Sequence, residues 1–204
     1  FSVFMLKLYS DNPNSKAITR VAEILRNGGV VIYPTDTVYA IGCDIFQPRA
    51  VEKVCKFKGL DPQKANLSLI CYDLSNISEY AKVDNTTFKL LKHNLPGAFT
   101  FILNGSSNLP KLFKNRKTIG IRVPDNNIIR ALVQELGNPI LTASVKDDCD
   151  ITEYETDPEL LEEKYGKSVD LIIDGGFGGV VASTIVDCTG DEPIIVRAGA
   201  GVLI

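Results

Sequence analysis

Lys56 and Lys58, one residue apart and followed in the next loop by Lys64, have the spacing to clamp a polyphosphate between point charges. They also end a helical stretch, where lysines offset the helix dipole without binding anything. Arg122 lies within the apolar run Lys117 to Pro124, where a guanidinium is costly unless it is paired or faces a cavity. Strict alternation places it on one face with Thr118 and Gly120, so that face either lines a polar pocket or carries a buried ion pair. Arg197 precedes Ala198-Gly199-Ala200-Gly201, small residues that let an anion or another backbone come close, although an exposed arginine needs no ligand. Ser183 and Thr184 enter a strand after the glycine-rich Asp174 to Gly179. No helix-forming stretch follows those glycines, so they make neither a P-loop nor a dinucleotide fingerprint, and a flexible hairpin-like turn is expected.

These side chains need rigid elements behind them. The run Val30-Val31-Ile32-Tyr33 reads as a buried strand, and Pro34, with no N–H for a ladder, ends or kinks it. Thr35, Asp36 and Thr37 then stand at its mouth, short polar groups suited to a small polar ligand. Helices are expected over Ala17 to Arg26, Pro48 to Lys58 and Asn85 to His93, over Asn127 to Leu136, and from Asp157-Pro158 onward. Strands are expected over Asn66 to Tyr72, Phe99 to Leu103, Thr118 to Val123, Ile140 to Thr142, Val169 to Ile173, Ser183 to Asp187 and Pro193 to Val196. Early alternation of helix and strand with a strand-rich end favours one α/β domain on a twisted mixed sheet.

The 204 residues, 45% of them hydrophobic, suffice for one core. No apolar run is long enough to span a bilayer and no signal-peptide pattern opens the chain; Met5-Leu6-Lys7-Leu8 reads as the native start, with Phe1 to Phe4 an addition. Five cysteines (Cys43, Cys55, Cys71, Cys149, Cys188) form no CxxC pair and no metal spacing, which fits a reducing cytoplasm. The single histidine, His93, falls at a helix end, which argues against a Ser-His-Asp triad or a histidine-based zinc site. A net charge of −3 opposes a surface that attracts nucleic acid everywhere, yet cations are concentrated locally at Lys53 to Lys64 and Lys111 to Arg122. Acidic residues gather in Asp147 to Glu163, expected to be a solvated face.

Taken in order, six blocks resemble the YrdC-like family of threonylcarbamoyl-adenylate synthases: Tyr33 to Tyr39 with Gly42-Cys43-Asp44; Lys56-x-Lys58; Pro96-Gly97-x-x-Thr100; Ile121 to Pro124; Ser183 to Asp187; and Arg197-x-Gly199. The likeness runs from about Lys16 to Gly201 and implies a single YrdC/RibB-like domain, 1–204, with a mixed sheet around a large, positively lined cavity. It also implies synthesis of threonylcarbamoyl-AMP from ATP, L-threonine and bicarbonate for tRNA modification. By that likeness Lys56 and Lys58 are the catalytic phosphate clamp, with Mg²⁺ arriving on the nucleotide. Thr35 and Arg122 take the threonine, and Ser144, Ser183 and Arg197 contact the nucleotide. The rival implication is a non-catalytic module that binds double-stranded RNA or tRNA through the same basic cavity. Three positions depart from the family pattern, and they point to the YciO-like subgroup. Lys58 replaces an arginine, Cys71 stands where a histidine is expected, and Ser144-Val145-Lys146 replaces Ser-x-Asn.

Overall fold

The computed structural model describes residues 4–61, 67–113, 116–145 and 153–204. Lys64, Asn66, Lys114, Lys146 to Cys149 and the rest of the acidic segment up to residue 152 lie outside the described residues. The chain opens with a strand that its short, non-alternating sequence does not announce, Phe4–Lys7 (β1). Helix Ser15–Arg26 (α1), strands Val31–Tyr33 (β2) and Ala40–Asp44 (β3), helix Pro48–Phe57 (α2) and strand Ser68–Ile70 (β4) follow. A helical turn Ile77–Tyr80 (α3) and a two-residue strand Ala81–Lys82 (β5) lead to helix Asn85–Asn94 (α4) and strand Phe99–Gly105 (β6). After a 3-10 turn at Lys111–Phe113 come strand Thr118–Arg122 (β7), helix Asn127–Leu136 (α5), strand Ile140–Ser144 (β8) and helices Glu153–Thr156 (α6) and Pro158–Tyr165 (α7). Strands Leu171–Asp174 (β9), Thr184–Asp187 (β10) and Ile194–Arg197 (β11) complete the order.

Local chemistry sets these limits. The Asn14 side chain accepts from Ala17 N at 3.0 Å to start α1, and Asn126 accepts from Ile128 N and Ile129 N to start α5. Gly137, at φ +82°, ends α5 in the left-handed region that a side chain resists. Pro48 and Pro158 sit in first turns, where no N–H is needed. His93 is exposed in the last turn of α4, as its spacing predicts.

All the described strands join one mixed sheet in the order β1-β9-β2-β3-β8-β4-β7-β6-β10-β11, with β5 added beside β6. Parallel pairs (β1/β9, β2/β9, β4/β7, β6/β10) are mixed with antiparallel ones such as β2/β3 and β3/β8. One face sends Ile32, Ile41, Leu69, Leu141, Ile121 and Phe101 into a core shared with Val51 and Val54 of α2 and Leu161 of α7. The other sends Val31, Ile70, Ile140 and Leu171 against Val21 and Leu25 of α1 and Ile129 and Leu132 of α5. Along that second face the register sets Ser68 beside Gly120, Ile70 beside Arg122, and Thr100 beside Ile185. The apolar face therefore turns polar toward β6 and β10, where α1 and α5 contribute no core residue.

Two expectations are corrected. The segment after β9 is not a hairpin-like turn. β9 lies between β1 and β2 while β10 lies between β6 and β11, so the glycine-rich chain crosses between distant parts of the sheet. Glu155, expected on a solvated acidic face, is buried. Among the described residues no helix is long and apolar enough to cross a membrane.

Candidate functional site

Pro34 ends β2, and the next residues close on themselves. Thr35 Oγ1 donates to Val38 O at 2.7 Å and accepts from Thr37 N at 3.0 Å, so its hydroxyl fixes the turn that presents Asp36 and Thr37. The glycine-rich crossover holds this turn from outside: Gly179 N donates to Thr37 O at 2.9 Å, and Tyr39 Oη donates to Gly176 O at 2.7 Å while accepting from Gly175 N at 3.0 Å. Those glycines act as a backbone strap over the strand mouth.

Arg122, at the end of β7, is only 6% exposed. Its Nη2 donates to Thr37 Oγ1 at 3.1 Å and lies 3.6 Å from Asp36 Oδ1. Asp36 Oδ2 accepts from Asp125 N at 2.9 Å, which anchors the carboxylate to the loop leading into α5. The pairing is incomplete: Arg122 Nε and Asp36 Oδ1 have no hydrogen-bond partner among the described residues. Burial pushes the Arg122 guanidinium below its ordinary range. The Asp36 carboxylate opposes that shift, and the like charge of Arg197 adds to it. Arg122 therefore has both properties left open by the sequence, a buried ion pair and a place on a polar face.

Ser183, just before β10, meets Thr100 of β6, Oγ to Oγ1 at 2.8 Å, and Arg197 donates to the Ser183 carbonyl from Nη2 at 2.7 Å and from Nε at 3.2 Å. The small residues after Arg197 have a packing reason. Gly199 N donates to Thr184 Oγ1 at 3.0 Å, and a Cβ on Gly199 would lie 2.3 Å from Ala182 O. A second backbone comes close here, which was one of the two uses that small residues allowed.

Thr35, Asp36, Thr37 and Arg122 thus form one cluster, and Ser183, Thr100 and Arg197 form another, coupled to it through the two guanidiniums. Ser144 ends β8 opposite Ala40. Lys58 is the C-cap of α2. Lys56 is exposed and lines a groove of about 470 Å³ with Lys53, Phe57, Tyr165 and Ser168. A different cation stands on the polar sheet face: Arg116 borders a cavity of about 120 Å³ with Ser68, Thr100, Thr118 and Gly120. Sequence reasoning placed Arg116 in a basic cluster but missed it as a site residue. Thr37, which meets Arg122, was likewise passed over for Thr35. The available signal was the Thr-x-Thr spacing at the strand mouth.

The Sua5/YciO/YrdC family model, described as telomere recombination, matches residues 23–199. The chain belongs to this family. It is 45% identical over 197 residues to the uncharacterised protein YciO of Escherichia coli (strain K12), covering 95% of this chain and 94% of that one. The crystal structure of E. coli YciO superposes with a TM-score of 0.90 at 42% identity, covering 98% and 97% of the two chains. The threonylcarbamoyl-AMP synthase of Bacillus subtilis (strain 168) is 31% identical over 91% of this chain and 54% of its own length. P. abyssi Sua5, solved in complex with L-threonine, superposes with a TM-score of 0.83 at 25% identity, over 97% of this chain and 58% of that one. The chain thus spans a little over half of each of these two longer proteins.

Within the Sua5/YciO/YrdC family, the three departures noted in the sequence now have surroundings. Cys71 is buried, with its thiol pushed up to about 12 by burial, and its backbone N donates to Arg122 O at 2.9 Å. A neutral buried thiol supplies no base or nucleophile near neutral pH. Lys58, in place of arginine, offers a point charge without the planar fork. Lys146 lies outside the described residues.

Proposed function

We propose that this protein is a nucleotidyltransferase of the YciO branch that makes threonylcarbamoyl-AMP from L-threonine, bicarbonate and ATP for tRNA modification. The observation that carries the reading is Arg122: a buried guanidinium, 3.6 Å from its carboxylate partner, with an Nε donor unmatched among the described residues. Leaving such a donor without an acceptor costs about 1–3 kcal/mol, which an oxyanion ligand would recover. In this reading the α-carboxylate of L-threonine is that ligand, with Thr35 and Thr37 shaping its pocket. The complex of P. abyssi Sua5 with L-threonine supports the choice.

In the reaction, the threonine amine and bicarbonate give a carbamate with loss of water. A carbamate oxygen then attacks the α-phosphorus of ATP, and the bond to the β-phosphate breaks to release pyrophosphate. Such a transfer needs positioning and charge neutralisation more than a strong base. Arg197, Ser183 and Ser144 are assigned to the nucleotide, and Lys58 at the end of α2 to its phosphates, whereas Lys56 lines a groove beside Tyr165 that shares no residue with this cluster. Mg²⁺ enters with ATP as part of the substrate; among the described residues no three His, Cys, Asp or Glu side chains gather to hold a metal ion.

The test is incubation with ATP, L-threonine and labelled bicarbonate, following labelled adenylate and pyrophosphate. Product that falls at least 100-fold in Arg122→Lys, in a variant that still melts cooperatively, is the expected result. Absence of product from the wild type removes the synthase reading. The RNA-binding alternative predicts instead retention of a labelled RNA duplex with affinity falling steeply with salt.

A further inference from the structure

Arg116 stands where the sheet face becomes polar. The cavity it borders, about 120 Å³, is lined by Gly120 and the hydroxyl-bearing Ser68, Thr100 and Thr118 on one hand and by the apolar Leu67, Ile102 and Ile185 on the other. No carboxylate lines it among the described residues. Gly120 leaves room that any other residue would fill, since a Cβ there would lie 2.5 Å from Ser68 Oγ and 3.1 Å from Thr100 Cγ2. The space suits a phosphate-sized group and is too small for a nucleoside. The cavity adjoins the rest of the site: Gly120 precedes Arg122 by two residues on β7, and Thr100 bonds Ser183 at 2.8 Å. Arg116 is half-buried, with its guanidinium 5.9 Å from the Phe113 ring, so it is braced at the cavity wall by the 3-10 turn before β7.

We propose that Arg116, with the Ser68, Thr100 and Thr118 hydroxyls, forms a subsite for the terminal phosphates of the nucleotide, that is, for the departing pyrophosphate. The inference deepens the proposed function and rests on it for the identity of the nucleotide. A planar guanidinium with three hydroxyls supplies the fork and the short donors that phosphate oxygens take. Lys56, by contrast, borders the separate groove beside Tyr165. The guanidinium that Lys58 lacks is therefore supplied from another element. Arg116 is also desolvated by burial, with the Asp61 carboxylate as a counter-charge acting on it, so a purely structural role is the competing account.

Calorimetric titration with pyrophosphate, ATP, AMP and L-threonine separates the two accounts. In Arg116→Gln, pyrophosphate and ATP affinities should fall at least tenfold while AMP and L-threonine affinities hold. Arg116→Lys should recover part of the loss for ATP, as a charge without the fork. Unchanged pyrophosphate binding in Arg116→Gln overturns the subsite, and so does an equal loss for all four ligands. If the wild type makes threonylcarbamoyl-AMP and Arg116→Gln makes it with the same KM for ATP, the subsite fails and the synthase reading stands. If pyrophosphate binding depends on Arg116 but the wild type makes no product, the subsite stands and the synthase reading fails.

Discussion

Asp36 carries a desolvation cost that the folded chain bears near neutral pH. Burial raises its carboxyl above the ordinary 3.8, outweighing the hydrogen bond from Asp125 N and the attraction of Arg122. The sign of the linked stability follows. Well above the raised value the carboxylate is ionised in both folded and unfolded chains, and the fold bears the cost of burying it. As pH falls through the folded value toward 3.8, the folded chain takes up the proton first and gains stability. Asparagine at this position has no proton to take up. The urea midpoint of the wild type should therefore move in its favour, relative to Asp36→Asn, between pH 7 and about pH 4. Movement the other way would mean that the ion pair with Arg122 outweighs the burial and that Arg122 has little capacity left for a ligand.

At the level of elements, the last strands show why small residues follow Arg197. The Gly199 position is closed by main chain: Ala182 O would lie 2.3 Å and Ser183 C 2.6 Å from a Cβ there, and neither can swing aside. Gly199→Ala should destabilise by about 1–3 kcal/mol in urea denaturation, the usual cost of overpacking. Gly190→Ala, where nothing lies within 4 Å, should change stability by no more than about 0.5 kcal/mol. Equal effects would show that the tail does not pack on β10 as described. The same contrast explains what the sequence made legible. Asn126, Pro48, Gly137 and Pro34 mark boundaries through local chemistry, and the helices and strand they delimit were found within a few residues. β1, β3, β5, α3 and α6 were missed because runs of two to five residues are too short to show a period, and in β3 every residue is buried, so no alternation marks it. The crossover after β9 and the place of Arg116 are non-local facts. They depend on which strands become neighbours, and nothing in the spacing along the chain carries that information.

For the whole molecule, one sheet has two unequal faces. The first is covered from β9 to β10 by a single large core, and the second is covered by α1 and α5 only as far as Ile70 and Ile140. Beyond that limit stand Arg116, Arg122 and Arg197, on a chain whose net charge is −3. The field that attracts an anion is therefore local, and it is created by leaving part of a sheet face without a helix. The desolvation of Arg122 is a cost the unliganded fold carries, so an anionic ligand should stabilise the entire domain through mass action. At a ligand concentration of 100 Kd the gain is about 2.7 kcal/mol. For a domain of this size that corresponds to a rise in Tm of about 5–11 °C. L-Threonine should give this rise in the wild type and in Arg197→Ala alike. ATP should give it in the wild type and lose most of it in Arg197→Ala, because only the nucleotide is assigned to the Ser183–Arg197 side. Thermal melts of the two proteins with each ligand decide the matter. A shift by L-threonine that vanishes in Arg197→Ala would merge the two clusters into one site, and the division of labour along the sheet face would have to be abandoned.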